Sequence, residues 1–154
     1  MVDSYERERE LVAFLKQEVP EFGERAYTDK PRDDLNSETA FPRASIATIS
    51  KPRELLGIGE NSNGIKHRFR ILVVTKRDQG LKVSIDSVSK KYFDDVLAKK
   101  LGAKTEEAFR KNWKTIGSGR YFNCIVEDGQ LFAYSDEDTL FHYQSIVQLY
   151  EVLP

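Results

Sequence analysis

A stretch of alternating side chains constrains the fold of this chain more than any other feature of its sequence. Along residues 65–76 mostly large apolar side chains alternate with basic ones, and at residues 72 and 74 the positions that carried basic residues carry apolar ones. Such a period of two is typical of a β-strand with one buried face. The inward set is Ile65, His67, Phe69, Ile71 and Val73, and the basic set is Lys66, Arg68 and Arg70. We therefore predict a long strand that directs three cations outward.

Residues 41–50 predict a second strand, which a loop over residues 51–64 joins to the first. Three large apolar side chains, Leu55, Leu56 and Ile58, lie among the glycines of this loop. Apolar side chains of this kind either fold back onto their own domain or dock on another subunit. A phosphate-binding loop is not indicated, because a strand follows the last glycine where that motif requires Gly-Lys-Ser/Thr and a helix.

The size and charge of the chain bound its class. We expect one domain over residues 1–154, and the net charge of -1 argues against a wide nucleic-acid or anionic-membrane surface. A single cysteine, Cys124, excludes an intrachain disulfide, and its simplest interpretation is a small buried residue in a strand rather than a catalytic thiol. The charged N-terminus does not resemble a signal peptide, so we expect a soluble protein of the cell interior or of an assembly made there.

An amphipathic helix is predicted over residues 4–19. Its apolar residues recur at spacings of three, four or seven, while Glu and Arg residues occupy the other side. Asp3 or Ser4 is the expected cap, and Pro20 and Gly23 end the helix.

The central part of the chain predicts two more helices after a polar loop. Residues 28–39 are almost entirely polar and are expected to form an exposed loop. Residues 87–101 carry an apolar stripe that predicts a helix closed by Gly102, and residues 105–113 predict a short second helix.

The C-terminal part predicts a second hairpin. A strand over residues 120–127 is followed by Asp128-Gly129, a strong turn signal, and residues 131–134 are expected to pair back. Residues 141–152 predict a long final strand. The fold class is therefore α+β, with a mainly antiparallel sheet of two hairpins packed against an N-terminal and a central helix in the order α-β-β-α-β-β.

No residue pattern predicts a catalytic or metal site, and we expect no cofactor. His67 and His142 lack a Cys, His or carboxylate at ligand spacing, so each is expected to be a satisfied or solvated histidine. Residues 31–34 resemble one end of a metal-nuclease motif, but the following strand offers no partner for it. An acidic tip, defined as Asp136, Glu137 and Asp138, lacks the oxygen spacing and glycine of a calcium loop.

The residues Lys66, Arg68 and Arg70, called here the basic stripe, allow two interpretations. Three cations at alternate positions of one strand add their charges locally although the total charge is near zero. They form either a solvated face balanced by acidic neighbours, or a surface that faces phosphate or an acidic patch on another copy.

Four segments together resemble the core of the tail-terminator proteins of long-tailed phages and tailed archaeal viruses. They are residues 41–46, 56–59, 69–74 and 142–151. The resemblance spans residues 11–152, and it rests on packing and turn signals without a chemical signature. The polar loop over residues 28–39 and the helix over residues 105–113 depart from the family's pattern.

The resemblance implies a non-enzymatic structural protein that forms a ring, typically a hexamer, in the neck of a virion assembled in the host cytoplasm. Such a ring ends the growth of the tail tube and joins the tail to the head connector, and DNA passes through its lumen without specific binding. The expected partners are other copies of the chain, the tube protein and the connector. Because a cyclic ring uses head-to-tail contacts, opposite patches must be complementary. The basic stripe, the acidic tip and the loop residues Leu56 and Ile58 are the candidate interface.

Two other functions remain open from the sequence. One is a nucleic-acid-binding module or nuclease-like domain that uses the basic stripe, and strong salt dependence of DNA affinity would favour it. The other is a cellular interaction domain unrelated to viruses.

Overall fold

A computed structural model of the chain describes residues 3–28, 41–50, 53–55, 63–132 and 140–152. In these ranges the chain forms two α-helices and eight strands. Helix α1 spans Ser4–Glu18 and helix α2 spans Asp94–Asn112, while 3₁₀ turns follow them at Pro20–Phe22 and Trp113–Gly119. The strands are β1 Ala26–Tyr27, β2 Arg43–Ser50, β3 Arg53–Leu55, β4 Asn63–Lys76, β5 Gly80–Ile85, β6 Val88–Phe93, β7 Tyr121–Phe132 and β8 Leu140–Val152.

The fold is mixed α+β with about 50% strand and a mainly antiparallel sheet, as the sequence predicts. The main sheet has the order β1-β2-β4-β8-β7, with β3 also paired to β4. Strand β4 lies at its centre, antiparallel to β2 and β8. Only the two residues of β1 pair in parallel, with β2. The observed element order contains four strands, β1, β3, β5 and β6, that the predicted order lacks.

Helix α1 begins where the sequence predicts. The side chain of Asp3 accepts a hydrogen bond from the amide of Tyr5 at 2.9 Å, which supplies a partner for one free amide of the first turn. Leu11, Phe14 and Leu15 face the sheet and are almost fully buried. The helix ends at Glu18, and Pro20 opens the following 3₁₀ turn.

The helix predicted over residues 87–101 is wrong in nearly its first half, because α2 begins only at Asp94. Residues 88–93 form β6, which pairs with β5 in a separate two-stranded sheet. Asp86 and Ser87 form the tight turn between these strands with φ of 51° and 67°, a pair of left-handed residues that a two-residue hairpin requires. The helix prediction rests in part on Val88 and Tyr92. Their spacing of four does not distinguish a helix from a strand, because it places two residues on one face of either.

Helix α2 runs without a break through the predicted closing residue Gly102. The predicted second helix over residues 105–113 is its continuation. Gly102 is buried against the ring of Tyr143, and a Cβ at this position would collide with that ring. The glycine is therefore a packing residue that lets β8 approach the helix, and not a helix terminator.

The turn predicted at Asp128-Gly129 is also wrong. Strand β7 continues through it to Phe132, with a bulge between Glu127 and Gln130. The amide of Gly129 donates to the carboxylate of Glu106 at 3.0 Å, and the Tyr143 ring leaves no room for a side chain on this glycine. A glycine is required at this position because Glu106 and the Tyr143 ring approach the backbone closely, and not because the chain turns. The final strand is confirmed, since β8 runs from Leu140 to Val152.

The main core lies between the helices and one face of the sheet. Its largest fully buried side chains come from both helices and from the central strands. They include Leu11, Leu15, Phe22, Ile46, Phe69, Ile71, Leu97, Leu101, Phe109 and Leu149. The helices therefore cover one face of the sheet and leave the cationic side of β4 on the other.

The predicted loop over residues 28–39 lies outside the described residues except for Thr28. Whether the chain is one domain stays a prediction.

Candidate functional site on the open face of the sheet

The face of the sheet opposite the helices is the candidate functional surface, called here the open face. It consists of the basic stripe of β4 and the outward residues of the neighbouring strands β8 and β7. The alternation predicted from the sequence accounts for it, because Phe69 and Ile71 point into the core and their neighbours must point away. The residues of this face paired beside the stripe are Ile146, Tyr150 and the buried Gln148 of β8, and Asn123, Ile125 and Glu127 of β7.

Arg68 and Lys66 of the basic stripe each make a long contact on this face. The Nη2 atom of Arg68 lies 4.0 Å from a carboxylate oxygen of Glu127, and the two side chains are 33% and 44% exposed. The Nζ atom of Lys66 lies 5.9 Å from the centroid of the Tyr150 ring. Arg70 is exposed. An ion pair this open to water contributes little to stability, so the charges of Arg68 and Arg70 are available to a partner.

Exposed apolar side chains flank the basic stripe. Phe122 is 46% exposed, Ile125 42% and Val152 57%. The ring of Phe122 lies 5.8 Å from that of Tyr150. The open face therefore combines a cationic centre with an apolar border. This is the reverse of the usual apolar core and polar rim of an interface, so the apolar border is the part that resembles the centre of a contact.

Alternation in the sequence assigns one residue of β7, Tyr121, to the wrong face of the sheet. Strict alternation along residues 121–126 would put Tyr121 on the same face as Ile125, but a bulge between Tyr121 and Asn123 shifts the register. Tyr121 is buried in the core, where Cys124 and Val126 also pack, whereas Ile125 is outward. A bulge of this kind has no sequence signal that could have revealed it here.

Five residues of the predicted interface fall outside the described part of the chain. They are Leu56 and Ile58 of the loop and Asp136, Glu137 and Asp138 of the acidic tip. Their proposed contact with the basic stripe stays a prediction.

The covered face contains a buried charge network centred on Glu151. Arg7 donates from Nη2 to one carboxylate oxygen at 2.8 Å, and the Nε2 atom of His67 lies 3.1 Å from the other. Arg120 is 3.6 Å away and also pairs with Glu10 at 2.8 Å. His67 is fully buried with its Nε2 atom on Glu151, which excludes the solvated alternative for this histidine. This network fastens α1 to the sheet.

The network sets the protonation state of Glu151. Burial alone would raise the pKa of this carboxyl group, but hydrogen bonds from His67 and Arg7 and the charge of Arg7 outweigh it and lower the pKa below its usual value. Tyr121 donates to Glu10 at 3.2 Å, and burial raises the pKa of this phenol. Glu151 is therefore ionised in a structural role, and neither group faces the open side of the sheet.

A second buried carboxylate, Glu106, ties α2 to the sheet and was not predicted. One of its oxygens accepts from the hydroxyls of Tyr143 at 2.8 Å and Ser145 at 2.7 Å, and from the amide of Gly129. The sequence offers no sign of this cluster, because its members are separated by more than twenty residues.

Cys124 lies half-buried in β7 and packs against the core. Burial raises the pKa of its thiol to about 12. A thiol with so high a pKa is protonated at neutral pH and is a poor nucleophile. The predicted role as a small apolar strand residue fits this environment.

A cavity of about 490 Å³ lies between the tip of the β5–β6 hairpin and α2, lined in part by Ser84, Lys104, Glu107 and Lys111. Its charges are paired within the chain. Lys104 donates to Glu21 at 2.6 Å and to the carbonyl of Ser84 at 2.7 Å, and Lys111 pairs with Glu107 at 3.0 Å. Lys104, Glu107 and Lys111 are therefore engaged with partners within the chain and are not directed at a ligand.

In the described part of the chain, no group of three or more His, Cys, Asp or Glu side chains could hold a metal ion. Within the same residues no helix is both long and apolar enough to cross a membrane. No protein-family model and no curated protein sequence matches the chain. The open face is thus the feature from which a function can be argued.

Proposed function

We propose that this chain is a structural subunit of a homo-oligomeric ring of the tail-terminator kind. Such a ring, which we propose to be a hexamer, would end the growth of a viral tail tube at its head-proximal end and join the tail to the head connector. The chain would act without catalysis or cofactor, and its partners would be its own copies, the tube protein and the connector.

The open face of the sheet is the observation that carries this proposal. Its border of Phe122, Ile125 and Val152 is exposed, and its centre is cationic. An assembly subunit needs such a surface, because copies associate through apolar contacts while charges set the register and the choice of partner.

The order of the elements supports the resemblance. The observed order is α1, β1 to β6, α2, β7 and β8, with β2 and β4 antiparallel and β7 and β8 antiparallel. We propose that the two helices with β2, β4, β7 and β8 correspond to the core that the tail-terminator resemblance implies, and that β1, β3, β5 and β6 are additions to it.

We further propose that the basic stripe contacts the acidic tip of the next copy. The test is the mass of the purified protein by light scattering, over a range of protein and salt concentrations. A discrete ring of the wild-type chain is expected. The charge-reversed variant Lys66→Glu/Arg68→Glu/Arg70→Glu should shift the equilibrium toward monomer, since like charges then meet at the contact.

A matched control is the variant Lys82→Glu/Lys90→Glu/Lys91→Glu, which changes the net charge equally on the exposed β5–β6 hairpin. It should assemble like the wild type. Unchanged assembly of the stripe variant would remove the stripe from the interface, and a wild-type chain that remains monomeric even with tube protein present would count against the ring itself.

The second candidate function is nucleic-acid binding through the same basic stripe. The exposure of Arg70 and the weak pairing of Arg68 favour it. Binding of this kind would weaken steeply with salt, because cations released from the phosphates drive it. DNA affinity that is lost in Arg68→Ser/Arg70→Ser and falls with salt would support this function, whereas undetectable DNA binding at low salt would exclude it.

A further inference from the structure

The main sheet has two strand edges that no described residue covers. One is the outer edge of β7, which pairs only with β8. The other belongs to β2, whose outer side pairs with β1 at Ala44 and Ser45 alone, so that residues 46–50 have no outer partner in the described chain. These edges lie at opposite ends of the sheet.

Strand β7 has little of the charge that usually protects an edge, since Glu127 is the one charged residue of its regular stretch 123–127. Its sequence contains no Lys, Arg or Pro, the residues with which natural edge strands avoid pairing with other chains. Phe122 and Ile125 are instead exposed along it. Two bulges interrupt the strand, but residues 123–127 between them keep a regular register with β8. The open stretch of β2 is also five residues long, and its own register with β4 shifts between Thr48 and Ser50, so that Ile49 has no direct partner on β4.

The strand directions make the two edges compatible. Strands β2, β4, β8 and β7 are each antiparallel to the next. In a run of four such strands the two outermost run in opposite directions. When a second copy continues the sheet in the same sense, its β2 therefore lies antiparallel to β7 of the first copy.

The edge of β2 also has free space beside it. A cavity of about 400 Å³ is lined by Ala47 and Thr48 of β2, by Tyr5 and Glu8 of α1, and by Thr28 directly after β1. Ile49, the next residue of β2, is 47% exposed. The end of β1 thus leaves a recess in which side chains of an added strand can be accommodated.

We propose that residues 124–127 of β7 pair antiparallel with residues 47–50 of β2 in the next copy, with Ile125 opposite Ile49, so that the sheet continues from subunit to subunit. Main-chain hydrogen bonds would supply affinity, and Ile49 and Ile125 would supply side-chain contact, as in other cases of strand addition. The contact is head-to-tail. Repeating it gives a ring if the rotation between neighbouring copies adds up to a full turn, and an open filament if it does not. This inference rests on the proposed ring for its closure.

Chemical crosslinking between two variants tests the pairing. Both variants carry Cys124→Ala, which removes the native thiol. One adds Ile49→Cys and the other adds Ile125→Cys. The two proteins are mixed at high concentration and treated with a short bis-maleimide. Head-to-tail pairing predicts one crosslinked dimer that contains both variants, and little product from either variant alone. The control pair is Val88→Cys with Ile125→Cys, because Val88 is 55% exposed on the separate hairpin.

Three results would overturn the pairing. Crosslinking of Ile125→Cys with itself would show a two-fold contact between β7 strands. Equal crosslinking of the control pair would show random collision. No crosslinking, together with unchanged hydrogen exchange of residues 47–50 and 124–127 at low and high protein concentration, would show that the edges stay open.

Light scattering on the same samples separates this proposal from the ring function. The specific crosslink with open-ended filaments would support the pairing and contradict the ring. A ring without the crosslink would support the ring and refute the pairing.

Discussion

The two faces of strand β4 show how one element can serve both folding and assembly. On the covered face His67 and Phe69 are fully buried, and the ionic groups there are completed within the chain. Glu151 has contacts to Arg7, His67 and Arg120. On the open face the ion pair between Arg68 and Glu127 is long and exposed. Charge that is satisfied internally stabilises the fold, whereas charge left to solvent is available for a partner.

The largest expected effect is that of Glu151→Ala. The change leaves Arg7 and His67 without their carboxylate in a buried site, and breaking a buried pair in this way costs about 3–5 kcal/mol. Urea unfolding followed by the fluorescence of Trp113 gives the free energy of unfolding. The control is Glu127→Ala on the open face, which removes the exposed pair with Arg68 and the hydrogen bond that Gln148 donates at 2.8 Å, so a smaller loss of about 1 kcal/mol is expected. Equal losses in the two variants would contradict the distinction between the faces.

The same network predicts a loss of stability in acid. Because the pKa of Glu151 is lowered in the folded chain, its contribution is fully present above the unfolded-state value of about 4.3 and is lost as the pH falls through the folded-state pKa. The urea midpoint of the wild type should therefore fall more than that of Glu151→Gln between about pH 5 and pH 3. Parallel curves for the two proteins would show that another carboxyl group causes the acid dependence.

Much of the fold could be predicted from the sequence, but less of the difference between the covered and the open face of the sheet. The alternation in β4 identified both faces of that strand, because each residue's direction follows from the period alone. The start of α2 could not be predicted, since Val88 and Tyr92 fit a strand as well as a helix. The carboxylates of Glu151 and Glu106 resembled solvated surface residues, because their burial depends on partners far away in the sequence. The bulge that separates Tyr121 from Ile125 likewise depends on tertiary pairing.

Gly102→Ala tests the second place where a helix meets the covered face. Alanine favours a helix interior by about 1 kcal/mol over glycine. Its methyl group would nevertheless collide with Tyr143, whose hydroxyl donates to Glu106, and overpacking of this kind costs about 1–3 kcal/mol. We expect Gly102→Ala to be destabilising in urea unfolding. In a Tyr143→Ala background the same change should become stabilising, and the absence of this reversal would refute the packing role of the glycine.

The smallest effect on stability is expected for Arg70→Ser on the open face. The side chain is exposed, and substitutions at such positions usually change the free energy of unfolding by no more than about 0.5 kcal/mol. The matched change on the other side of the same strand, His67→Ser, removes a fully buried ring that contacts Glu151 and should cost several times more. Urea unfolding of both variants at a concentration where the protein is monomeric measures the ratio. If Arg70→Ser proves as costly as His67→Ser, the open face contributes to the stability of the single chain and is not a surface reserved for a partner. If its cost appears only at concentrations where the protein assembles, the lost free energy belongs to the contact between copies.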